Sequence, residues 1–392
     1  MEISSSMVLL ICLIFWILLN LIYTKRNKID KKNIGEDNST NENENNNYNT
    51  GLKTYYGIFG VLRTSWGLKT IDIIGKYNIW RKIGIFLIPI CVIISIITFY
   101  MFISSTLNLF NGTIPKESSK PIIFLFGNII PWIPGVIALI IGITFHELAH
   151  GIVARSFNLK IKSTGLLLAL GIPLGAFVEI GDEFKSASKK VRGAVASAGP
   201  IANVVIFMGV TLITPYFHEL PTTLTIAEVL EDHPASGVLM SGDLIYSING
   251  KRINSLSEFY NTARELRPKE KITLKVLRDN QLKTLELITS PEGKIGIIVE
   301  PSNDLMFILQ LLYWTSMLNL MLGFFNLLPA IPLDGFHVWN ALPELIRDLK
   351  RNSNILSNIS KYLEYIINEK SLTTISMMVW LMIFASIMYS FL

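Results

Sequence analysis

Apolar runs long enough to cross a bilayer alternate along the chain with short polar or basic stretches. The first is Met7 to Tyr23, "MVLLICLIFWILLNLIY". Further runs lie at about 85–102, 132–157, 194–216, 305–328 and 372–391. Each is near the ~20 residues that a membrane helix needs, so the pattern predicts about six spans. One apolar stretch departs from helix periodicity. In "STGLLLALGIPLGAFVEIGD", Ser163 to Asp182, Gly165, Gly171, Pro173 and Gly175 interrupt any helix. A re-entrant β-hairpin fits it, a shape tolerated at membrane depth only where protein or a wet cavity satisfies the backbone.

Between the fourth and fifth runs the pattern changes to strand alternation. "KITLKVLRDNQLKTLELIT" alternates about an Asp279-Asn280 turn, and "SGDLIYSINGKRI" ends a strand at Asn249-Gly250. "SLSEFYNTARELR" reads as a helix capped by Ser255 with Glu258 three residues on. Residues 222–300 are therefore expected to form a small α/β module. The Asn-rich "NSTNENENNNYNTG" has little to bury and reads as a disordered linker. After it, residues 55–84 mix aromatic and basic side chains. They suit either a surface-lying segment or a small amphipathic hairpin.

Composition and charge agree with a polytopic membrane protein. Of 392 residues, 50% are hydrophobic and 17% charged, with a net charge of +5. No basic stripe is interleaved with aromatics, so nucleic acid is not an expected partner; the lipid bilayer is. Cys12 and Cys91 both sit in apolar runs, which argues against a disulfide framework or a cysteine metal site. The loop from Thr24 to Lys82 holds eleven Lys and Arg, against Lys116 and Lys120 in the next loop. The positive-inside rule puts the first loop in the cytoplasm, the 222–300 module outside, and the third run's polar motif toward its cytoplasmic half.

That motif is "HELAH", His146 to His150. Positions i and i+4 share a helix face, so His146 and His150 can reach one metal ion. Glu147 beside them can face an attacking water as general base. Ionisable residues inside a span are costly and mark function. A third ligand must come from elsewhere. Asp334, set among Pro329, Pro332 and Gly335 after the fifth run, is the first choice, if PLDG is not simply a solvated turn; His337 is its rival.

The set then resembles the site-2 protease family of intramembrane zinc metalloproteases. HExxH is followed by GPxxN at Gly199 to Asn203, then by N-x-x-P at Asn326 to Pro329 and L-D-G at Leu333 to Gly335. The resemblance covers about residues 132–340. It implies one Zn²⁺ per chain held by His146, His150 and Asp334, with Glu147 as base and Asn326 helping to hold substrate or oxyanion. "GIPLGAFVEI" resembles the family's re-entrant β element, which implies substrate contact at Gly171, Pro173, Gly175 and Phe177, by strand pairing or as a plug. Asn203 reads equally as an oxyanion donor or as a bridge between spans. The 222–300 module is similar to a PDZ domain, although a carboxylate-binding loop is not evident near Ala227 to Val229. The implied substrate is a protein with a transmembrane helix, cut in regulated intramembrane proteolysis after a prior site-1-type cleavage.

The expected organisation is an anchor over 1–24, a basic loop with the linker over 25–82, and a second span over 83–104. The core follows in two parts, 122–218 and 304–340, around the 222–300 module. A cytoplasmic segment at 341–371 and a final span at 372–392 complete the chain. Two rival functions share HExxH: a membrane zinc protease acting on soluble or lipidated tails at the membrane face, and a non-enzymatic metal transporter or scaffold. The first would not need the hairpin. The second should show internal repeats or a lost Glu147, and the sequence shows neither.

Overall fold

The computed structural model describes residues 13–18, 21–22, 51–56, 58–114, 131–170, 172–348 and 354–391. Its elements begin with β1 (Gly51–Tyr55), β2 (Phe59–Thr64), α1 (Leu68–Gly75), α2 (Asn78–Phe110) and α3 (Trp132–Ser156). Then come β3 (Ile161–Ala169), β4 (Ile172–Ile180), α4 (Glu183–Ser186) and α5 (Lys189–His218). The middle holds β5 (Leu224–Val229), β6 (Leu244–Ile248), β7 (Lys251–Arg252), α6 (Leu256–Arg264), β8 (Lys271–Arg278), β9 (Gln281–Ile288) and β10 (Ile297–Glu300). The chain closes with α7 (Asn303–Asn326), α8 (Asp334–Asp348), α9 (Asn354–Ile366) and α10 (Glu369–Phe391).

Among the described residues five helices are long and apolar enough to cross a membrane: α2, α3, α5, α7 and α10. The sixth expected span, Met7 to Tyr23, lies largely outside the described residues, as do the Asn-rich linker and Gly171. Of the first run, Trp16 is described and is buried against Leu52 and Leu168.

The chain divides into two compact units. One comprises the described residues of 1–132, 136–207 and 317–392; the other comprises 133–135 and 208–316. In the first, α5 lies buried along Gly193 to Pro200, a run of Gly, Ala, Ser and Val that ends in proline. Small side chains let helix backbones approach closely where lipid supplies no hydrophobic drive. Val195 and Ala198 pack with Val153 and Ala154 of α3. Ala194 and Ala196 pack with Ile88 and Cys91 of α2 and with Val338 and Ala341 of α8.

The expected β-hairpin is present as β3 and β4, but it forms half of a larger sheet. The order is β1-β2-β3-β4, all antiparallel. Residues 55–84 thus contain hairpin strand rather than only a surface-lying segment, since β2 pairs with β3 from Phe59↔Ala169 to Thr64↔Thr164. That leaves β4 at an edge. Arg63 on β2 reaches across β3 to Glu179 on β4, with Nε 3.1 Å from Oε2.

The second unit contains the expected α/β module. Its path is β10-β5-β6-β8-β9, with β7 paired to β6. Leu224, Ile226, Ile248, Ile272, Leu274 and Val276 are buried in its core beside Phe259 of α6. Asn249-Gly250 and Asp279-Asn280 all have positive φ. That is the geometry whose twist suits two-residue hairpins. Ser255 caps α6 by accepting from Glu258 N, while Glu258 reaches back to Asn254 N. Asp243 is buried and takes a two-pronged contact from Arg278. Although burial pushes the other way, the guanidinium and the Met240 N–H hold its carboxyl below the ordinary value.

Candidate metal centre

The site forms where α3, α5 and the start of α8 meet within the first unit. His146 and His150 project from one face of α3 and are 7% and 8% exposed. Their Nε2 atoms lie 3.1 Å apart. Asp334 Oδ2 stands 3.2 Å from the first and 3.3 Å from the second. These three residues form the metal-capable group found among the described residues. A tetrahedral zinc with bonds of about 2.0–2.1 Å places its ligand atoms about 3.3–3.4 Å apart. The triangle therefore has the right edge length for one zinc ion.

The tautomers agree with this fit. Asn203 donates its amide to Gly142 O at 3.0 Å and to Asn319 Oδ1 at 2.8 Å, which orients its Oδ1 toward His146 Nδ1 at 2.5 Å. That oxygen can only accept, so His146 carries its proton on Nδ1. His150 Nδ1 likewise faces Val195 O at 2.7 Å. In neutral rings both Nε2 atoms then carry lone pairs, directed at each other and at a carboxylate. A cation between them relieves that repulsion, and such partners on the far ring nitrogen are the usual support of metal-bound histidines.

The presentation of Asp334 answers the question of how a carboxylate reaches this depth. α7 ends at Asn326 and α8 starts at Asp334, so residues 327–333 leave the helical hydrogen-bond pattern. The freed backbone is satisfied by side chains: Ser95 donates to Leu327 O, Ser376 accepts from Ile331 N, and Trp380 donates to Ile331 O. Irregular backbone survives in a membrane protein only on such terms.

Glu147 is not among the three ligands. Its Oε2 accepts from Val178 N of β4 at 2.9 Å. With the histidines, Asp334, Asn326 and His337, it lines a cavity of about 310 Å³. A carboxylate held beside, but not in, the ligand triangle is placed to handle a proton. His337, the rival ligand, lines the same cavity but stands outside the triangle, its ring edge-on to Phe184 and Phe336.

The remaining expected residues divide. Asn326 lines the cavity and turns its amide back to Leu322 O at 3.0 Å. Asn203 is fully buried with both amide atoms engaged. Pro173, Gly175 and Phe177 all lie on β4, opposite Leu168, Leu167 and Gly165. Val178 and Asn319 were not anticipated. Val178 acts through its backbone N–H, to which residue type gives no clue, and Asn319 sits in an apolar run without a motif. Replacing Asn203 by leucine is expected to weaken zinc binding about 10–100-fold, the usual effect of losing such a supporting partner. Competition against a zinc chelator of known affinity would measure it.

Comparison with known proteins agrees with this geometry. The chain is 49% identical over 387 residues to an uncharacterized protein of Methanocaldococcus jannaschii, covering 99% of this chain and 98% of that one. It is 28% identical over 155 residues to a DegP-like periplasmic serine endoprotease of Pseudomonas fulva, covering 39% of this chain and 29% of that protein. A zinc metalloprotease of Methanocaldococcus jannaschii is 45% identical over 56 residues, 14% of this chain and 16% of that one. The profile of Peptidase family M50 matches residues 134–367, a stretch that takes in all three ligands, Glu147 and the break before α8. The chain belongs to peptidase family M50.

Proposed function

We propose that this chain is a zinc-dependent endopeptidase that hydrolyses peptide bonds within or near the transmembrane helix of a membrane-anchored protein. The observation that carries the reading is the ligand triangle with Glu147 beside it, both histidines and Glu147 standing on a helix of membrane-spanning length. His146, His150 and Asp334 would hold the ion, which when bound would supply a Lewis acid for the attacking water and the scissile carbonyl. Glu147 takes the proton from that water and passes it to the leaving amine. Asn326, whose side chain lines the cavity, supplies an amide for the oxyanion. Asn203 positions His146 and does not touch substrate.

A transmembrane helix hides its amides in its own hydrogen bonds, so the substrate must be drawn into extended form. The edge of β4 offers a template by strand addition. Val178 N–H points away from β3 toward Glu147, and Ala176, two residues back on the same strand, shares that direction. A proline at an outward-facing edge position leaves the ladder to β3 intact. Ala176→Pro is therefore expected to cut the cleavage rate at least tenfold with zinc content unchanged; equal rates would count against pairing.

The Lys and Arg distribution supports an active site in the cytoplasmic half of the membrane and the 222–300 module outside. That module is read as PDZ-like, screening substrates by size, and regulated proteolysis after an earlier cut is the setting. The test is cleavage of a single-span protein by the purified enzyme in proteoliposomes, with the cut mapped by mass spectrometry. A cut within the span supports the reading. A cut confined to an exposed tail favours a protease of the membrane face.

A further inference from the structure

A second cavity, of about 270 Å³, adjoins the metal centre. It shares Glu147 and Val178 with the catalytic cavity, but none of the three ligand residues lines it. Ile140, Thr144, Glu147 and Leu148 of α3 form one wall, spaced as one face of a helix. Leu166 and Phe177 of the sheet form another, and Trp66 closes a side.

These walls are held in place. Phe177 stands opposite Gly165 in the β3–β4 register. A side chain at Gly165 would run into the Phe177 ring, so the missing Cβ lets that ring lie across the strand. Thr164 hydrogen-bonds Trp66 O at 2.5 Å, tying the turn after β2 to β3. A Cβ on the next residue, Gly67, would stand 3.3 Å from Leu148 Cδ2, which places that turn against α3.

We infer that this cavity receives the side chain of the substrate residue on the carboxyl side of the cut bond and selects a bulky apolar one. The inference rests on the proposed proteolysis. Glu147 hands its proton to the leaving amine, so the residue carrying that amine comes to lie against Glu147. A cavity that touches Glu147 but no metal ligand is on the amine side, not the carbonyl side. Its lining is almost wholly apolar, so Leu or Phe fits, whereas Asp would enter uncompensated. Trp66, Thr144 and Phe177 then set specificity.

The test is competition in proteoliposomes between single-span substrates that differ only in the residue after the mapped cut: Phe, Leu, Ala and Asp. Wild type is expected to favour Phe or Leu over Ala by about 10–200-fold, the range for apolar pockets. Thr144→Phe fills the cavity and should reverse that order. Trp66→Ala removes a wall that is 70% exposed and should flatten it. Because each ratio is internal to one sample, partial misfolding does not alter it. Cleavage at a flat wild-type ratio, or an order unmoved by both variants, overturns the pocket and leaves the protease reading standing. Zinc-loaded wild type that cuts none of the substrates overturns both.

Discussion

Glu147→Gln is expected to lower peptide cleavage by at least 10²–10⁴-fold, the usual contribution of a general acid–base group, while zinc content stays at the wild-type level. Glutamine keeps the shape and still offers an oxygen to Val178 N–H, the hydrogen-bond partner of Glu147 among the described residues. The ligand triangle does not include Glu147, so the ion has no reason to leave. What disappears is the carboxylate proposed to accept a proton from water and return it to the amine. Single-turnover cleavage with metal analysis of the same sample separates the two effects. A variant that keeps more than a tenth of the rate would remove Glu147 from the mechanism. One that loses its zinc would make it a structural residue of the site.

The second large effect is expected from Gly199→Ala, which should strip the metal from a chain whose three ligands are all intact. A Cβ at position 199 would collide with His150 Nε2 and lie 2.7 Å from His146 Nε2. Neither ring can retreat freely, since the far nitrogen of one is held by Asn203 and that of the other by Val195 O. One methyl group thus pushes both metal-binding nitrogens out of position. Overpacking of this kind also costs about 1–3 kcal/mol of stability. Gly209→Ala is the control on the same helix, because a Cβ there meets nothing within 4 Å. Equal zinc stoichiometry in the two variants would show that the collision is absorbed elsewhere.

The contrast between Gly199 and its motif shows what the sequence could convey. HELAH is legible because helix geometry alone brings His146 and His150 together. Asp334 is legible only in outline: prolines announce a break, but the side chains that satisfy it, Ser95, Ser376 and Trp380, come from distant helices. Asn203 stayed ambiguous since an amide in a span bridges helices or binds substrate with the same letters. The partners of its amide, Gly142 O and Asn319 Oδ1, belong to two other helices and leave no local trace in the sequence. The β8–β9 hairpin was readable from alternation and its Asp279-Asn280 turn. β2 was open to two readings because its partner β3 is about a hundred residues away, as in Phe59↔Ala169, and a pairing so remote leaves no periodic trace. The helix ends also ran past the apolar runs: α2 begins at Asn78, since the polar "NIWRKIG" still favours helix.

The four-stranded sheet sets a condition on any shortened form of the protein. The match to the family starts at residue 134, after β1 and β2 are complete. A version trimmed to the matched stretch would keep every ligand and Glu147 yet leave β3 bare along Phe59's former partner strand. It would then present two unpaired rims, one on β4 beside Glu147 and a second on β3 rich in leucine. Unpaired apolar strands invite the wrong neighbour. The β1–β2 hairpin thus covers the leucine-rich rim of β3 and, among the described strands, leaves the rim of β4 beside Glu147 uncovered.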